Sequence, residues 1–208
     1  FFFLFVVSHK DSFEDIFSFR FDFHKAWFFR FLNQNNDFLV KMGEFFFAKN
    51  LFENALSSFL YLDEQSQPDV ERYRKIGFCY QKLLNFTFAI DYYKKAELIE
   101  TDNLWTIRKI AYCYRNLKQY DEALDYYLVA DSLAKDNQSI LFNIGICYFE
   151  QKQFDKALNY FFKIEFISNN NKKAENYIAL CSFFTENYAT AETYYLKQPE
   201  DNGYYELL

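Results

Sequence analysis

Four cysteine thiols recur in this chain at a constant interval, and thiols at a fixed spacing can hold a metal ion or form disulfide bonds. Each lies 34 residues from the next, at Cys79, Cys113, Cys147 and Cys181. Zinc sites usually place two cysteines within two to four residues of each other, often with histidines at a set spacing. The only histidines, His9 and His24, lie far from the cysteines in sequence. The spacing therefore argues against a zinc site.

The same interval also argues against disulfide bonds between successive cysteines. A disulfide requires Cα atoms closer than about 7 Å, whereas equivalent positions on neighbouring packed helices lie about 8–10 Å apart or more. We therefore expect each cysteine to fill the same gap in successive units as a small apolar side chain. Reduced thiols favour a cytoplasmic location. A periplasmic or membrane-associated location is the alternative if a signal or an anchor precedes residue 1.

The composition indicates a helical array and argues against nucleotide and nucleic-acid binding. The 208 residues are 51% apolar, and they include only four glycines and two prolines. Few prolines permit long helices, and few glycines leave little material for phosphate-binding loops. The net charge of −6 provides no basic stripe for nucleic acid. We predict an all-α protein with no cofactor, no metal ion and no nucleic-acid partner.

Sequence motifs that carry catalysis are missing from the chain. It contains no Walker loop, no G-x-G-x-x-G, no G-x-S-x-G and no H-E-x-x-H motif. Paired carboxylates such as Asp121 and Glu122 fall at predicted helix starts, where acidic side chains favour the helix dipole. We therefore predict a binding module that is not an enzyme. The alternative is the docking or regulatory domain of a larger enzyme or signalling protein.

A 34-residue pattern repeats five times without an insertion, and its positions are numbered as places 1 to 34 with Asn36 at place 1. Place 20 is alanine in every repeat, and places 17 and 24 are always aromatic. Place 8 is always small, as Gly43, Gly77, Ala111, Gly145 and Ala179. The predicted repeats are residues 36–69, 70–103, 104–137, 138–171 and 172–205.

Each repeat reads as two helices. In the first helix of the first repeat, Leu39, Met42, Gly43 and Phe46 follow the i, i+3, i+4, i+7 spacing of one helical face. Polar breaks at 64–69, 100–103, 135–138 and 168–171 contain Asp and Asn residues suited to helix N-caps. We expect the small residues at places 8 and 20 to let the two helices approach. We expect the aromatics at places 11, 17 and 24 to fill the gap to the next repeat.

The pattern resembles the tetratricopeptide repeat family in its length, its small residue at place 8, its aromatic at place 11 and its alanine at place 20. The resemblance covers about 36–205 and implies an α-solenoid, a right-handed superhelix of helix-turn-helix repeats with a peptide-binding inner face. The large aromatic usual at place 4 is present only as Tyr73, and the fifth repeat carries Ser182 at place 11. Residues 202–208 are predicted to start a further, truncated helix.

The first 35 residues do not fit the frame. This atypical, aromatic-rich segment is predicted to form a cap or linker that covers the open face of the first repeat. Its acidic residues suggest an alternative role as an occupant of the chain's own binding groove. These residues are Asp11, Glu14, Asp15 and Asp22.

The resemblance places the binding surface on the first helices, at places 2, 5, 9 and 12. Arginine offers forked donors for carboxylates, and aromatic side chains anchor partners. We predict a groove for a peptide or partner protein with acidic and apolar side chains. It is lined by Arg74, Phe78, Trp105, Arg108, Tyr112, Arg115, Phe142, Ile146 and Phe149.

Two alternatives to this groove stay open. The rings could be partly buried by the stacking, with the arginines paired to Glu71 or Glu44 instead of a ligand. The array could also associate with itself as a homo-oligomer. Some tetratricopeptide domains hold a C-terminal carboxylate with Lys or Arg at place 5 and Asn at place 9. Here Arg74 is followed at place 9 by Phe78 and Arg108 by Tyr112, so we expect no such clamp.

Overall fold

The fold is described by a computed structural model over residues 36–168 and 171–197. The predicted cap at 1–35 and the further helix at 202–208 lie outside these residues. The chain divides into two compact units, Phe1–Leu84 and Asn85–Leu208, and each is described by itself. The first unit contains α1 (Asn36–Ala48), α2 (Phe52–Gln65) and α3 (Val70–Lys82). The second contains α4 (Phe86–Ile99), α5 (Leu104–Asn116), α6 (Tyr120–Leu133), α7 (Gln138–Glu150), α8 (Phe154–Ile167), α9 (Lys172–Phe184) and α10 (Tyr188–Leu196).

The all-α fold class is confirmed, because the described residues form ten helices and no strand. Five of these helices occupy places 1 to 13 of the sequence frame, and the other five begin at place 17. The boundary between the two compact units falls between α3 and α4, inside the second predicted repeat. The five repeat boundaries therefore stay a prediction. Within the described part of the chain, every helix is too short or too polar to cross a lipid bilayer.

The predicted N-caps are present where the first helices begin. The Asp69 carboxylate accepts a hydrogen bond from the backbone N–H of Arg72 at 2.6 Å. The Asn103 side chain accepts one from the backbone N–H of Thr106 at 3.1 Å. Asn137 and Asn171 cap α7 and α9 in the same way. Each cap satisfies a backbone donor that the helix itself leaves without a partner.

The first helices end in a left-handed turn at place 15. At Lys118 the φ angle is 61°, and its backbone N–H donates to the Arg115 carbonyl. The next N–H, of Gln119, donates to the Tyr114 carbonyl. This pair of bonds is a Schellman motif, which reverses the chain within three residues. The same positive φ recurs at place 15 in Asn50, Leu84, Lys152 and Glu186.

At place 8 the first helix lies very close to a ring of the second helix of its pair. A Cβ atom added at Gly145 on α7 would lie 2.7 Å from ring carbons of Phe161 on α8. A Cβ at Gly43 would lie equally close to the Phe59 ring. The expectation that a small residue at place 8 allows close packing is therefore confirmed at these two glycines.

In the third and fourth predicted repeats, the aromatic at place 11 packs differently from the prediction. Tyr114 on α5 stacks on Tyr126 of α6 at 5.8 Å between ring centroids, and Tyr148 stacks on Tyr160 at 5.6 Å. Both pairs lie within one predicted repeat and do not reach into the next. The reason is helix geometry, because place 11 is three residues from place 8 and shares its face toward the second helix.

The aromatics at places 17 and 24 do reach the next first helix, as predicted. Phe154 stacks on Phe184 of α9 at 4.6 Å. Phe161 stacks on Tyr177, also of α9, at 5.0 Å. Place 24 thus packs against its own first helix and against the following one. The contact joins α7, α8 and α9 into a single core cluster.

The four cysteines lie in these cores. All are free thiols with no exposed surface, which confirms the expectation that they fill gaps as small apolar side chains. Burial raises the pKa of each thiol to about 12. Because the thiolate is the reactive form, these side chains are poor nucleophiles and poor metal ligands at neutral pH.

Raising the pH from 8 to 10 should destabilise the fold through these thiols. An unfolded thiol ionises near its ordinary pKa of 9.0, whereas the folded Cys147 stays protonated until about 12. The stabilisation by a buried, protonated thiol is therefore present below pH 9 and is lost as the pH rises toward 12. Each thiol should lower the free energy of unfolding by about 1.4 kcal/mol between about pH 8 and pH 10.

Urea denaturation at the two pH values measures this loss. The variant Cys147→Ala should lose about 1.4 kcal/mol less than the wild type over the same interval. An identical loss in the two proteins would show that Cys147 does not contribute to it.

Candidate functional site

Two of the predicted groove residues lie on α3, in the first unit. The guanidinium of Arg74 donates to a carboxylate oxygen of Glu71 at 2.6 Å, and its side chain is only 11% exposed. Phe78 packs between Phe47 and Phe52, at centroid distances of 5.5 and 5.9 Å. The Arg74 contact agrees with the alternative interpretation, in which Glu71 neutralises this arginine. Arg74 is therefore a weaker candidate for binding an acidic ligand.

In the second unit, two arginines of α5 reach across to the next first helix, α7. Arg108 donates from Nη2 to the hydroxyl oxygen of Ser139 at 3.2 Å. Arg115 donates from Nη1 to the side-chain oxygen of Asn143. Ser139 and Asn143 are one turn apart on α7, and the Asn143 amide also donates to the Ser139 carbonyl at 2.7 Å. The two guanidinium groups therefore meet the same face of α7.

The arginine pair, Arg108 and Arg115, bonds to neutral side chains, and the nearby Glu150 carboxylate acts on Tyr120 and Cys147 together with Arg115. Neither guanidinium forms an ion pair with any carboxylate among residues 36–168 and 171–197. The buried hydroxyl of Tyr127 on α6 lies nearby. Burial raises the pKa of Tyr127, and the charges of Arg115 and Arg108 act in the opposite direction. The two guanidinium groups thus have neutral hydrogen-bond partners, Ser139 and Asn143.

Aromatic rings flank the arginine pair on α5. The Arg115 guanidinium lies 5.5 Å from the centre of the Tyr112 ring, which in turn packs edge-on against Phe86 at 6.3 Å. Trp105 is 42% exposed and packs edge-on against the buried Tyr93 at 5.7 Å. The Tyr112 and Trp105 rings keep part of their surface open, so they can supply apolar contact area to a ligand.

A second group of rings lies between α7 and α9. Phe142 packs edge-on against Tyr177 at 5.6 Å, and Phe149 does the same at 5.2 Å. Phe142 also contacts the buried Phe161 at 5.6 Å. Ile146 packs on the same core, partly buried. These four side chains, Phe142, Ile146, Phe149 and Tyr177, are called the α7–α9 platform.

The sequence prediction left out three residues that now belong to the description of the site. Asn143 binds Arg115, Tyr177 joins the two phenylalanines of the platform, and Tyr127 lies near both arginines. Asn143 and Tyr177 both stand at place 6, which was not counted among the inward places. The sequence already indicated that place 6 faces inward, because it lies four residues after place 2 and three before place 9, on the same helical face.

The chemistry of this surface is that of binding. It offers forked N–H donors and partly open rings, whereas the four cysteine thiols are buried in the cores. Across the described ranges, no group of three or more His, Cys, Asp or Glu side chains is arranged to hold a metal ion.

Comparison with known families gives two adjacent matches. Residues 109–137 and residues 140–161 each match a family described as tetratricopeptide repeat. No curated protein matches the chain in sequence.

Solved structures resemble the chain in fold. A crystal structure of MamA superimposes with a TM-score of 0.70 at 20% identity, covering 75% of this chain and 91% of that one. A second MamA structure gives a TM-score of 0.72 at 19% identity, covering 78% and 88%. MamA from Desulfovibrio magneticus RS-1, from residue 41 to its end, gives 0.72 at 15% identity, covering 78% and 92%. At these identities the likeness concerns the fold alone.

Proposed function

We propose that the protein is a non-catalytic scaffold, on the basis that residues 109–137 and 140–161 each match a tetratricopeptide repeat family. It binds a peptide or a partner protein along the first helices of its repeats. The ligand offers acidic side chains to the arginines and apolar side chains to the rings. The cytoplasmic location stays a prediction.

One observation carries this proposal. The first helices of the second unit present Arg108, Tyr112, Arg115 and Ile146 at a partly open surface. Arginine and tyrosine are among the residue types that dominate binding energy at protein interfaces. These residues stand at the inner-face places expected from the family resemblance. Side chains suited to binding therefore lie where the resemblance predicts the binding surface.

The proposal is tested by capture of partners from the source cell. Wild-type protein is compared with Tyr112→Asp/Ile146→Asp, which places two charges in the middle of the proposed surface. The matched control is Leu128→Asp/Val129→Asp, which changes two exposed apolar residues on the second helix α6. Circular dichroism checks that all three proteins remain helical, and mass spectrometry identifies what each retains.

The proposal expects partners that the wild type and the α6 control retain and the first variant loses. Partners lost only from the α6 control would move binding to the second helices. Partners retained by all three proteins would exclude the first-helix surface.

Self-association is the second candidate function, and exposed apolar side chains near the ends of second helices favour it. Phe166 on α8 is 90% exposed and Leu98 on α4 is 84% exposed. Exposed apolar groups of this kind can mark protein contacts. Light scattering on the proteins above measures the molar mass, and a monomer at all concentrations would exclude this candidate.

A further inference from the structure

We propose that the arginine pair, Arg108 and Arg115, binds the carboxylate of one acidic side chain in a partner peptide, whose apolar neighbours lie on the α7–α9 platform. This inference rests on the proposed function and deepens it by naming the group that is recognised. It also separates Arg108 and Arg115 from Arg74, which the sequence alone treated as equivalent.

The first argument is convergence. Arg108 and Arg115 are seven residues apart, so their Cα atoms are separated by about 10 Å along α5. Their guanidinium groups nevertheless bind Ser139 and Asn143, whose side chains start only about 5–6 Å apart on α7. Two guanidinium groups brought this close can donate to the two oxygens of one carboxylate.

The second argument is charge. Two cations in close proximity repel each other unless an anion lies between them. Arg74 has such an anion in Glu71, but neither member of the pair forms an ion pair with a described carboxylate. An acidic ligand would therefore supply the ion-pair partner that neither arginine has among the described residues.

The third argument is donor capacity. A guanidinium carries five N–H donors and no acceptor. Ser139 and Asn143 each accept from a single nitrogen of their arginine. Further donors thus remain for a ligand, while the bonds to α7 hold the side chains in place. Preorganised side chains lose less conformational entropy on binding.

The fourth argument is continuity with an apolar surface. Phe142 and Ile146 each lie three residues after a partner of the arginine pair, Ser139 and Asn143 respectively, and therefore belong to the same face of α7. Both are partly buried and contribute to the platform. A peptide with its carboxylate at the arginines would place adjacent side chains over these residues. The occupant best matched to this surface is an acidic residue with apolar neighbours.

The test uses three synthetic peptide libraries and the full chain. Each library contains twelve-residue peptides with a fixed central residue, which is glutamate, glutamine or phosphoserine. The other positions are randomised without acidic residues. The bound fraction of each library is measured on wild-type protein, Arg108→Gln/Arg115→Gln, Arg108→Lys/Arg115→Lys and the control Arg74→Gln.

Wild-type protein should retain the glutamate library about tenfold better than the glutamine library, since hydrogen bonds to a charged group contribute this much or more. The ratio should persist in Arg74→Gln and fall to about one in Arg108→Gln/Arg115→Gln. The lysine variant should lie between, because it keeps the charges and loses the forked donors. If Arg108→Gln/Arg115→Gln fails to fold, the lysine variant still tests the inference, because its ratio of glutamate to glutamine retention should fall below that of the wild type.

Other outcomes separate the inference from the proposed function. Equal retention of glutamate and glutamine peptides would overturn the inference and leave peptide binding intact. The same holds for a tenfold ratio that survives in Arg108→Gln/Arg115→Gln. Retention of the phosphoserine library far above the glutamate library would overturn the choice of a carboxylate. No retention of any library would overturn peptide binding itself.

The chain's own N-terminal segment is the remaining possible occupant. A peptide of residues 8–18, which includes Asp11, Glu14 and Asp15, is added as a competitor of the glutamate library. Competition that requires Arg108 and Arg115 would make this segment the occupant in place of a separate partner. Absence of competition supports the partner peptide.

Discussion

Replacing Phe161 with alanine should lower the free energy of unfolding by about 4 kcal/mol, as expected for a fully buried ring whose loss leaves a cavity. The Phe161 side chain has no exposed surface. It packs against Gly145 within its helix pair and stacks on Tyr177 of the following helix. The cavity would thus open between three helices, where no single side chain can move to fill it.

Phe166 provides the matched control for this variant. It is the same residue type on the same helix, five positions later, but it is 90% exposed. Phe166→Ala should change the free energy of unfolding by about 0.5 kcal/mol or less. Urea denaturation measures the free energy of unfolding of both variants. Similar losses in the two variants would contradict the packing described for Phe161.

The second large effect is expected at place 8. Gly145→Val should lower the free energy of unfolding by about 3 kcal/mol, because the added side chain has no space. A Cβ atom alone would already lie 2.7 Å from two carbons of the Phe161 ring. That ring is fully buried and is held between the rings of Phe142 and Tyr177. The matched control is Asn159→Val on the exposed face of α8, which should cost about 0.5 kcal/mol or less.

A double-mutant cycle shows whether Phe161 is the cause. On a Phe161→Leu background the ring is gone, so Gly145→Val should cost less than it does in the wild type. Residues in direct contact typically give coupling energies of about 0.5–3 kcal/mol in such cycles. The same cost on both backgrounds would mean that the valine collides with something other than this ring.

The periodic residues made the helices predictable. Alanine at place 20, a small residue at place 8 and an aromatic at place 24 describe two helices packed closely against each other. Asp69 and Asn103 mark where first helices begin, and the structure places N-caps at these residues. Such signals are local, so they can be read without knowing how distant parts of the chain are arranged.

The pairing of the arginines was harder to predict, although the physical rule is simple. Arg74 and Arg108 both stand at place 5. Three residues earlier, place 2 is Glu71 in one case and Trp105 in the other, so only Arg74 has an acid within its own helix. The partners Ser139 and Asn143 of the other two arginines come from a different helix. Their contacts depend on rotamers that a sequence frame does not specify.

The error at place 11 has a different cause. The recurring spacing shows that Tyr114 and Tyr148 face something apolar, and the prediction assigned them to the next repeat. Place 11 shares its helical face with place 8, and the structure turns both tyrosines toward their own second helices. The three-residue spacing from place 8 to place 11 was therefore the part of the pattern that indicated this direction.

Within each unit, every helix packs against the next one along the chain, and this order has a kinetic consequence. Partners that are close in sequence need only short loops to close, so little entropy is lost before favourable contacts form. Chains dominated by such local contacts fold in about microseconds to milliseconds. A helix pair can therefore pack as soon as the next first helix has left the ribosome and covers its apolar face, before the rest of the chain has been synthesised.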